Sequence, residues 1–92
     1  MIKIEMLYAK SKDIVWKKVI NKTIVLNRKT QDFFILDEAG GDIWQLINGK
    51  RNTAQIANML SRAYDENLSD LKKSINTLII DLNKKGLILK RR

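Results

Sequence analysis

The stretch LDEAGGDIWQLINGKRNTAQIANML, residues Leu36–Leu60, decides the fold, because it contains the boundaries of one helix and the start of another. Asp37 is suited to cap the first helix, since its carboxylate can accept a hydrogen bond from a backbone N–H of the first turn. Gly49 predicts the end of that helix by supplying a left-handed residue. Asn52 and Gln55 have the spacing of a capping box, which predicts the start of the second helix.

Two features inside the first predicted helix concern its packing. Gly40 and Gly41 are in tandem, although each glycine costs roughly 1 kcal/mol in a helix interior relative to alanine. Close approach of another backbone would explain them, and an irregular first turn is the alternative. Trp44 shares one helical face with Ile43 and Ile47, and we interpret it as an anchor of the hydrophobic core.

A third helix is predicted from about Leu68 to Lys85, ended by Gly86. At 100° per residue, four apolar residues form a narrow arc that predicts the buried side of this helix: Leu71, Ile75, Leu78 and Leu82. Ile79 falls at the edge of the arc, and Ile80 lies nearly opposite it. The pattern therefore predicts that Ile80 is exposed and that Ile79 borders the core.

Three segments before the helices are typical of strands. They are Ile14–Ile20, Thr23–Leu26 and Phe33–Leu36, rich in β-branched and aromatic residues and joined by short polar connections. Short connections favour an antiparallel meander. Strand alternation must send Phe33 and Phe34 to opposite faces. The predicted fold is α+β, a winged helix-turn-helix with an N-terminal three-stranded antiparallel sheet followed by three helices.

The domain boundaries and the chain ends follow from length and pattern. The 92 residues allow one domain, residues 1–92, with one small core. Residues 1–13 are predicted to be an arm or an extra strand, of which Ala9–Asp13 is expected to be loop. Leu87–Leu89 could form a short closing strand, and residues 89–92 are interpreted as a basic tail.

The composition excludes several classes of function. There is no cysteine, which removes disulfides, thiolate metal sites and thiol nucleophiles, and no histidine, the commonest general base. No glycine-rich phosphate loop or metal-ligand cluster can be assembled, so neither catalysis nor a cofactor or metal is expected. No apolar run approaches the roughly 20 residues that span a bilayer, and no signal-peptide core is present. We therefore expect a cytoplasmic, non-enzymatic protein without membrane contact.

The net charge of +8 is unevenly distributed along the chain. Residues 1–31 carry eight Lys/Arg and two Asp/Glu, a net +6. Residues 32–66 carry three and six, a net −3, and residues 67–92 carry seven and two, a net +5. The strands and the last helix are thus basic, while the middle helices are acidic. A solvated surface explains these lysines as well as an anionic partner does.

The order of these elements and residues resembles the PqqD-like family. The matching positions are Phe33-Phe34-Ile35-Leu36-Asp37, Gly40, Ile43-Trp44, Leu46-Ile47, Gly49, Ile56-Ala57, Leu60, Tyr64-Asp65, Leu71, Ile75, Leu78, Leu82 and Lys85-Gly86-Leu87-Ile88. The match covers about residues 14–88. Members are RiPP recognition elements, which bind the leader segments of ribosomally made peptides that are later modified.

The resemblance implies a non-catalytic module that captures a leader peptide as an added strand between the third strand and the third helix. The implied strand edge comprises Asp32, Phe33, Phe34, Ile35 and Leu36. The implied opposing wall comprises Lys72, Ile75, Asn76, Ile79 and Asn83, with Ile75 and Ile79 lining an apolar pocket. Family members often carry acidic residues early in the third helix, whereas this chain has Lys72 and Lys73, which suggests a leader with acidic residues.

The expected partners are the precursor peptide and a maturation enzyme such as a radical-SAM enzyme, a cyclase or a leader peptidase. The pathway, pyrroloquinoline quinone or lasso peptide, stays open, and so does a homodimer. The alternative function is a winged-helix DNA-binding regulator that uses the last helix and the basic C-terminus. Nucleic acid is the less favoured partner because the last helix contains no arginine, the residue that makes the commonest specific base contact.

Overall fold

The computed structural model of the chain describes residues 7–91. Within this range the protein has three helices and five strands, which confirms the α+β class. The elements are β1 (Leu7–Lys10), β2 (Ile14–Val19), β3 (Lys22–Asn27), β4 (Phe33–Leu36), α1 (Glu38–Leu46), α2 (Thr53–Tyr64), α3 (Leu68–Lys84) and β5 (Ile88–Arg91). No helix in the described range is long and apolar enough to cross a membrane. The winged helix-turn-helix arrangement stays a prediction.

The three predicted strands form one antiparallel sheet with the order β2-β3-β4. The central strand β3 alternates, with Thr23, Val25 and Asn27 buried and the residues between them exposed or half-buried. Strand alternation also separates the two phenylalanines of β4 as predicted, because Phe34 packs against the core while Phe33 is exposed. The order leaves β4 at one edge of this sheet.

A second, two-stranded sheet was not predicted. β1 pairs with β5 antiparallel, from Leu7 opposite Arg91 to Lys10 opposite Ile88. The extra strand expected within residues 1–13 is present as β1, and the closing strand expected at Leu87–Leu89 is present in part as β5, which extends to Arg91. The expected loop at Ala9–Asp13 is wrong for Ala9 and Lys10. Two four-residue strands about 80 positions apart have no local pattern long enough to reveal their pairing. Residues 1–6 of the predicted arm, and Arg92, lie outside the described range.

The starts of α1 and α2 are made by the predicted caps. The Asp37 carboxylate accepts a hydrogen bond from the Gly40 N–H, with 2.8 Å between the atoms. Asn52 and Gln55 each accept a hydrogen bond from the other's backbone N–H, so the capping box is confirmed. A Cβ on Gly41 would collide with the Thr23 hydroxyl and lie 3.2 Å from the Thr23 Cβ. Gly41 therefore lets α1 pack directly on β3.

The core lies between the helices and the inner face of the β2-β3-β4 sheet. Trp44 is fully buried, as predicted for an anchor. Its companions come from every helix and from three strands: Val25, Leu36, Ile43, Ile47, Ile56, Ala57, Leu60, Leu71, Ile75, Ile79, Leu82, Leu87 and Ile88. α1 packs on β3 and β4, while α3 packs on α2 and β5. This arrangement fixes α3 relative to the sheet.

Candidate functional site

The candidate site begins with the free edge of β4. β4 pairs with β3 through Phe33–Leu36, and no described strand pairs with its other side. The Asn27 N–H donates to the Asp32 carbonyl, with 2.9 Å between the atoms, so Asp32 makes a hydrogen-bonded pair with β3. Bonded and non-bonded pairs alternate in an antiparallel ladder. The backbone N–H and C=O groups of Phe33 and Ile35 therefore point away from β3 into the open edge.

The turn before β4 holds this edge in register. The Asn27 side chain is buried, and its Oδ1 accepts hydrogen bonds from the N–H groups of Lys29 and Thr30. Gln31, with a φ of 66°, donates its N–H to the Asn27 carbonyl. Gln31 and Asp32 together oppose Asn27, the geometry of a G1 β-bulge, which pins the register of the following strand. The positions of the free N–H and C=O groups along the edge of β4 are thus fixed.

The C-terminal end of α3 lies near β4. The Lys85 Nζ is 4.4 Å from the centroid of the Phe34 ring and forms an ion pair of 2.9 Å with Asp81. A surface depression of about 590 Å³ follows the same side of the helix, lined by Lys73, Ser74, Thr77, Leu78 and Asp81. Leu78 is half-buried and supplies an apolar floor. The depression therefore combines an apolar floor with cationic and hydroxyl groups.

The predicted wall on α3 lies on a different side of the helix. Ile75 is fully buried and Ile79 is 2% exposed, so the expected open apolar pocket between them is wrong. Lys72 and Asn76 are exposed, and Asn83 is half-buried. At 100° per residue these three polar residues lie nearly opposite the row of Ser74, Leu78, Asp81 and Lys85. Helical periodicity gave three residues of the buried arc, Leu71, Ile75 and Leu82, but it placed Leu78 in the core where the structure has Ile79. Contact with a peptide stays a prediction for the other eight predicted residues.

The sequence reasoning missed a cluster that joins β1, β2 and α1. The Lys10 Nζ donates to the Ile47 carbonyl at 2.6 Å and lies 5.0 Å from the Trp44 ring centroid and 5.6 Å from that of Trp16. The two indole rings meet edge to face at 6.4 Å. Burial, and next the charge of Arg51, lower the pKa of Lys10. Lys10 is 34 positions from Trp44, so no local pattern indicated this contact.

Among the described residues, side chains that bind metals are not brought together. Residues 7–91 contain no group of three or more His, Cys, Asp or Glu side chains placed to hold a metal ion. The carboxylates of Asp37 and Asp81 are used in a helix cap and in an ion pair. What the described surface offers near β4 is an unpaired strand edge beside a helix. Such an arrangement suits an extended peptide.

Comparisons with known proteins agree with this fold. Residues 22–88 match the family model described as coenzyme PQQ synthesis protein D, PqqD. No curated protein sequence matches the chain significantly. Among solved structures, TbiB1 in complex with the TbiA(beta) leader peptide is 20% identical with a TM-score of 0.80, covering 87% of this chain and 93% of that chain. Lasso peptide synthetase B1 complexed with the leader peptide is 18% identical with a TM-score of 0.79, covering 89% and 96%.

Proposed function

The chain belongs to the PqqD family, and from this premise we propose that it binds the leader segment of a ribosomally made precursor peptide and presents it to a maturation enzyme. The leader adds to the sheet as a strand along β4 and lies against α3. The observation that carries the proposal is the free edge of β4, together with the depression on α3. The Lys85 side chain connects the two, since it lies over the Phe34 ring and forms an ion pair with Asp81 at the depression. The two similar structures with bound leader peptides support the same class of ligand.

The backbone of β4 supplies part of the binding energy. Phe33 and Ile35 offer two N–H and two C=O groups to an added strand. Each hydrogen bond contributes about 0.5–1.5 kcal/mol net, so the four together give roughly 2–6 kcal/mol. A micromolar complex needs about 8 kcal/mol. Strand addition alone is therefore too weak, and side-chain contacts must supply the remainder.

The side chains on α3 can supply that remainder and select the leader. Leu78 offers apolar surface, and the Phe34 ring under the Lys85 ammonium extends it toward β4. Lys73 lies at the depression, whereas Lys72 lies outside it. Of the two lysines that suggested an acidic leader, Lys73 is thus placed to meet a leader carboxylate. Asp81 neutralises Lys85, so Lys73 is the cation that the leader would use.

The five α3 residues that the sequence predicted for the peptide wall lie outside the depression. Ile75 and Ile79 support the helix from within the core. Lys72, Asn76 and Asn83 lie on the far flank, outside the depression, and their contact with the peptide stays a separate prediction. The edge residues predicted from the sequence, Asp32 to Leu36, all remain in the proposal. Phe33 and Ile35 bond the leader, and Asp32, Phe34 and Leu36 hold the strand to β3.

A titration with modified leader peptides tests the proposal. The probe is the synthetic leader of the precursor peptide encoded beside this chain, measured by isothermal titration calorimetry. Saturable binding is expected. Methylation of the backbone nitrogens that face β4 should weaken binding about fivefold for each hydrogen bond of about 1 kcal/mol that is lost. Methylation of the intervening nitrogens, which face away from β4, is the matched control and should change little.

Two results would contradict the proposal. Equal effects from both sets of methylated leaders would exclude strand addition. The absence of saturable leader binding below the high micromolar range, together with tight and salt-sensitive binding of duplex DNA, would support the winged-helix regulator instead. The α3 residues available to DNA in that case are the exposed Lys72, Lys73, Asn76, Thr77 and Lys84.

A further inference from the structure

The outer face of the β2-β3-β4 sheet, the face turned away from the core, is largely apolar and uncovered by the described residues. Cross-strand pairing forms two rows on this face. One row is Lys17, Ile24 and Ile35, and the other is Val15, Leu26 and Phe33. Five apolar residues on this face are exposed: Val15, Val19, Ile24, Phe33 and Ile35. Contiguous exposed apolar patches on small soluble domains mark interaction sites.

The hairpin tip beside this face carries a second, independent feature. Ile20 and Asn21 form the two-residue connection between β2 and β3, since Val19 pairs with Lys22. Ile20 has a φ of 59° and is 89% exposed. Glycine is the usual residue where the first residue of such a turn has positive φ, and a β-branched residue there is strained. Because the Ile20 side chain is almost fully exposed among the described residues, packing within this part of the chain does not offset its strain.

We propose that the outer face together with Ile20 is the docking surface for the maturation enzyme that acts on the bound peptide. This inference rests on the proposed function and names the surface of this chain that the partner enzyme contacts. A leader strand added to β4 would extend the sheet, so every second leader side chain would join the outer face beside Phe33 and Ile35. An enzyme seated there would contact the protein and its leader together. It would therefore bind the loaded protein more tightly than the free one.

The charges of the sheet define the chemistry of that partner. β2, β3 and β4 contain Lys17, Lys18 and Lys22 and no Asp or Glu. Lys17 and Lys22 lie on the outer face among the apolar side chains. A second copy would bring like charges together, which disfavours self-association through this face. The complementary surface is apolar and rimmed by acidic residues.

Two variants separate docking from folding. Ile20→Gly removes the exposed side chain and relieves the positive φ, so it should keep or raise the thermal stability. Ile24→Lys adds a charge at the centre of the outer face. The control is Ile80→Lys, which changes the exposed isoleucine of α3. Neither test variant alters a residue that the proposed function assigns to the leader.

The probe is the leader-processing or modifying enzyme encoded with this chain, titrated with and without the synthetic leader. Ile20→Gly and Ile24→Lys should each weaken enzyme binding about tenfold, as truncation of a buried interface anchor does. Leader affinity should stay at the wild-type value, and Ile80→Lys should behave as wild type. The leader should strengthen enzyme binding by the wild-type chain.

Three results would overturn the inference. Unchanged enzyme binding by both variants, with leader binding intact, would refute the docking surface alone. A wild-type dimer in sedimentation that Ile24→Lys dissociates would assign the face to a second copy. Loss of binding to anionic lipid vesicles in the variants, without any enzyme binding, would assign it to a membrane surface. Failure of the wild-type chain to bind the leader would instead refute the proposed function.

Discussion

Replacing Ile79 by alanine should destabilise the protein far more than replacing its neighbour Ile80. Ile79 is 2% exposed within the core, and Ile80 is 56% exposed. Truncating a buried isoleucine to alanine costs about 2–5 kcal/mol, since a cavity remains. A surface substitution away from special features stays within about 0.5 kcal/mol. Because small domains have a total stability of about 5–15 kcal/mol, Ile79→Ala removes a large part of it.

Urea denaturation followed by tryptophan fluorescence measures this difference, since Trp44 is fully buried and is exposed to water on unfolding. With a slope of about 1.5 kcal/mol/M, a loss of 3 kcal/mol lowers the midpoint by roughly 2 M. Ile80→Ala should move it by no more than about 0.3 M. Equal shifts for the two variants would refute the packing of α3. The flank of α3 assigned to the peptide would then lose its basis.

Three further perturbations probe other parts of the structure. Gly41→Ala should lower the free energy of unfolding by about 1–3 kcal/mol, because it overpacks α1 on β3 even though alanine favours helices. Chemical denaturation measures this change, and a gain in stability would contradict the close packing. Lys73→Glu should weaken binding of an acidic leader about tenfold in calorimetry, while Lys72→Glu should change the affinity little. A larger effect from Lys72→Glu than from Lys73→Glu would instead assign the leader to the flank of α3 that the sequence predicted. The lowered pKa of Lys10 means that the unfolded chain binds more protons just below the usual pKa of 10.5. The stability of the wild type relative to Lys10→Met should therefore rise as the pH increases through that window, and a flat difference would contradict the burial of this lysine.

The parts of the fold that were predictable depend on interactions between near neighbours. The caps at Asp37 and Asn52 involve residues three positions apart, and both are confirmed. Strand alternation likewise separated Phe33 from Phe34. The pairing of β1 with β5 was missed because the two strands are short and distant in sequence. The contact of Lys10 with Trp44 was missed for the same reason.

The strand of the candidate site was predictable from the sequence, but the flank of α3 was not. Phe33–Leu36 was predicted as the third strand of a meander, and a meander of three strands necessarily leaves its last strand at an edge. For α3, periodicity predicted the buried arc, but Ile79 lies on one border of that arc and Leu78 on the other. Only tertiary packing decides which border is covered. α3 packs on α2 and β5, Ile79 is buried, and Leu78 faces the depression.

Hydrogen exchange at the backbone amides of β4 tests strand addition most directly. In the free protein, the N–H groups of Phe34 and Leu36 should be protected by β3, while those of Phe33 and Ile35 should exchange quickly. Saturation with the synthetic leader should slow exchange at Phe33 and Ile35 and leave Phe34 and Leu36 protected, as NMR of the labelled protein would record. Saturable leader binding with unchanged exchange at Phe33 and Ile35 would contradict strand addition at β4.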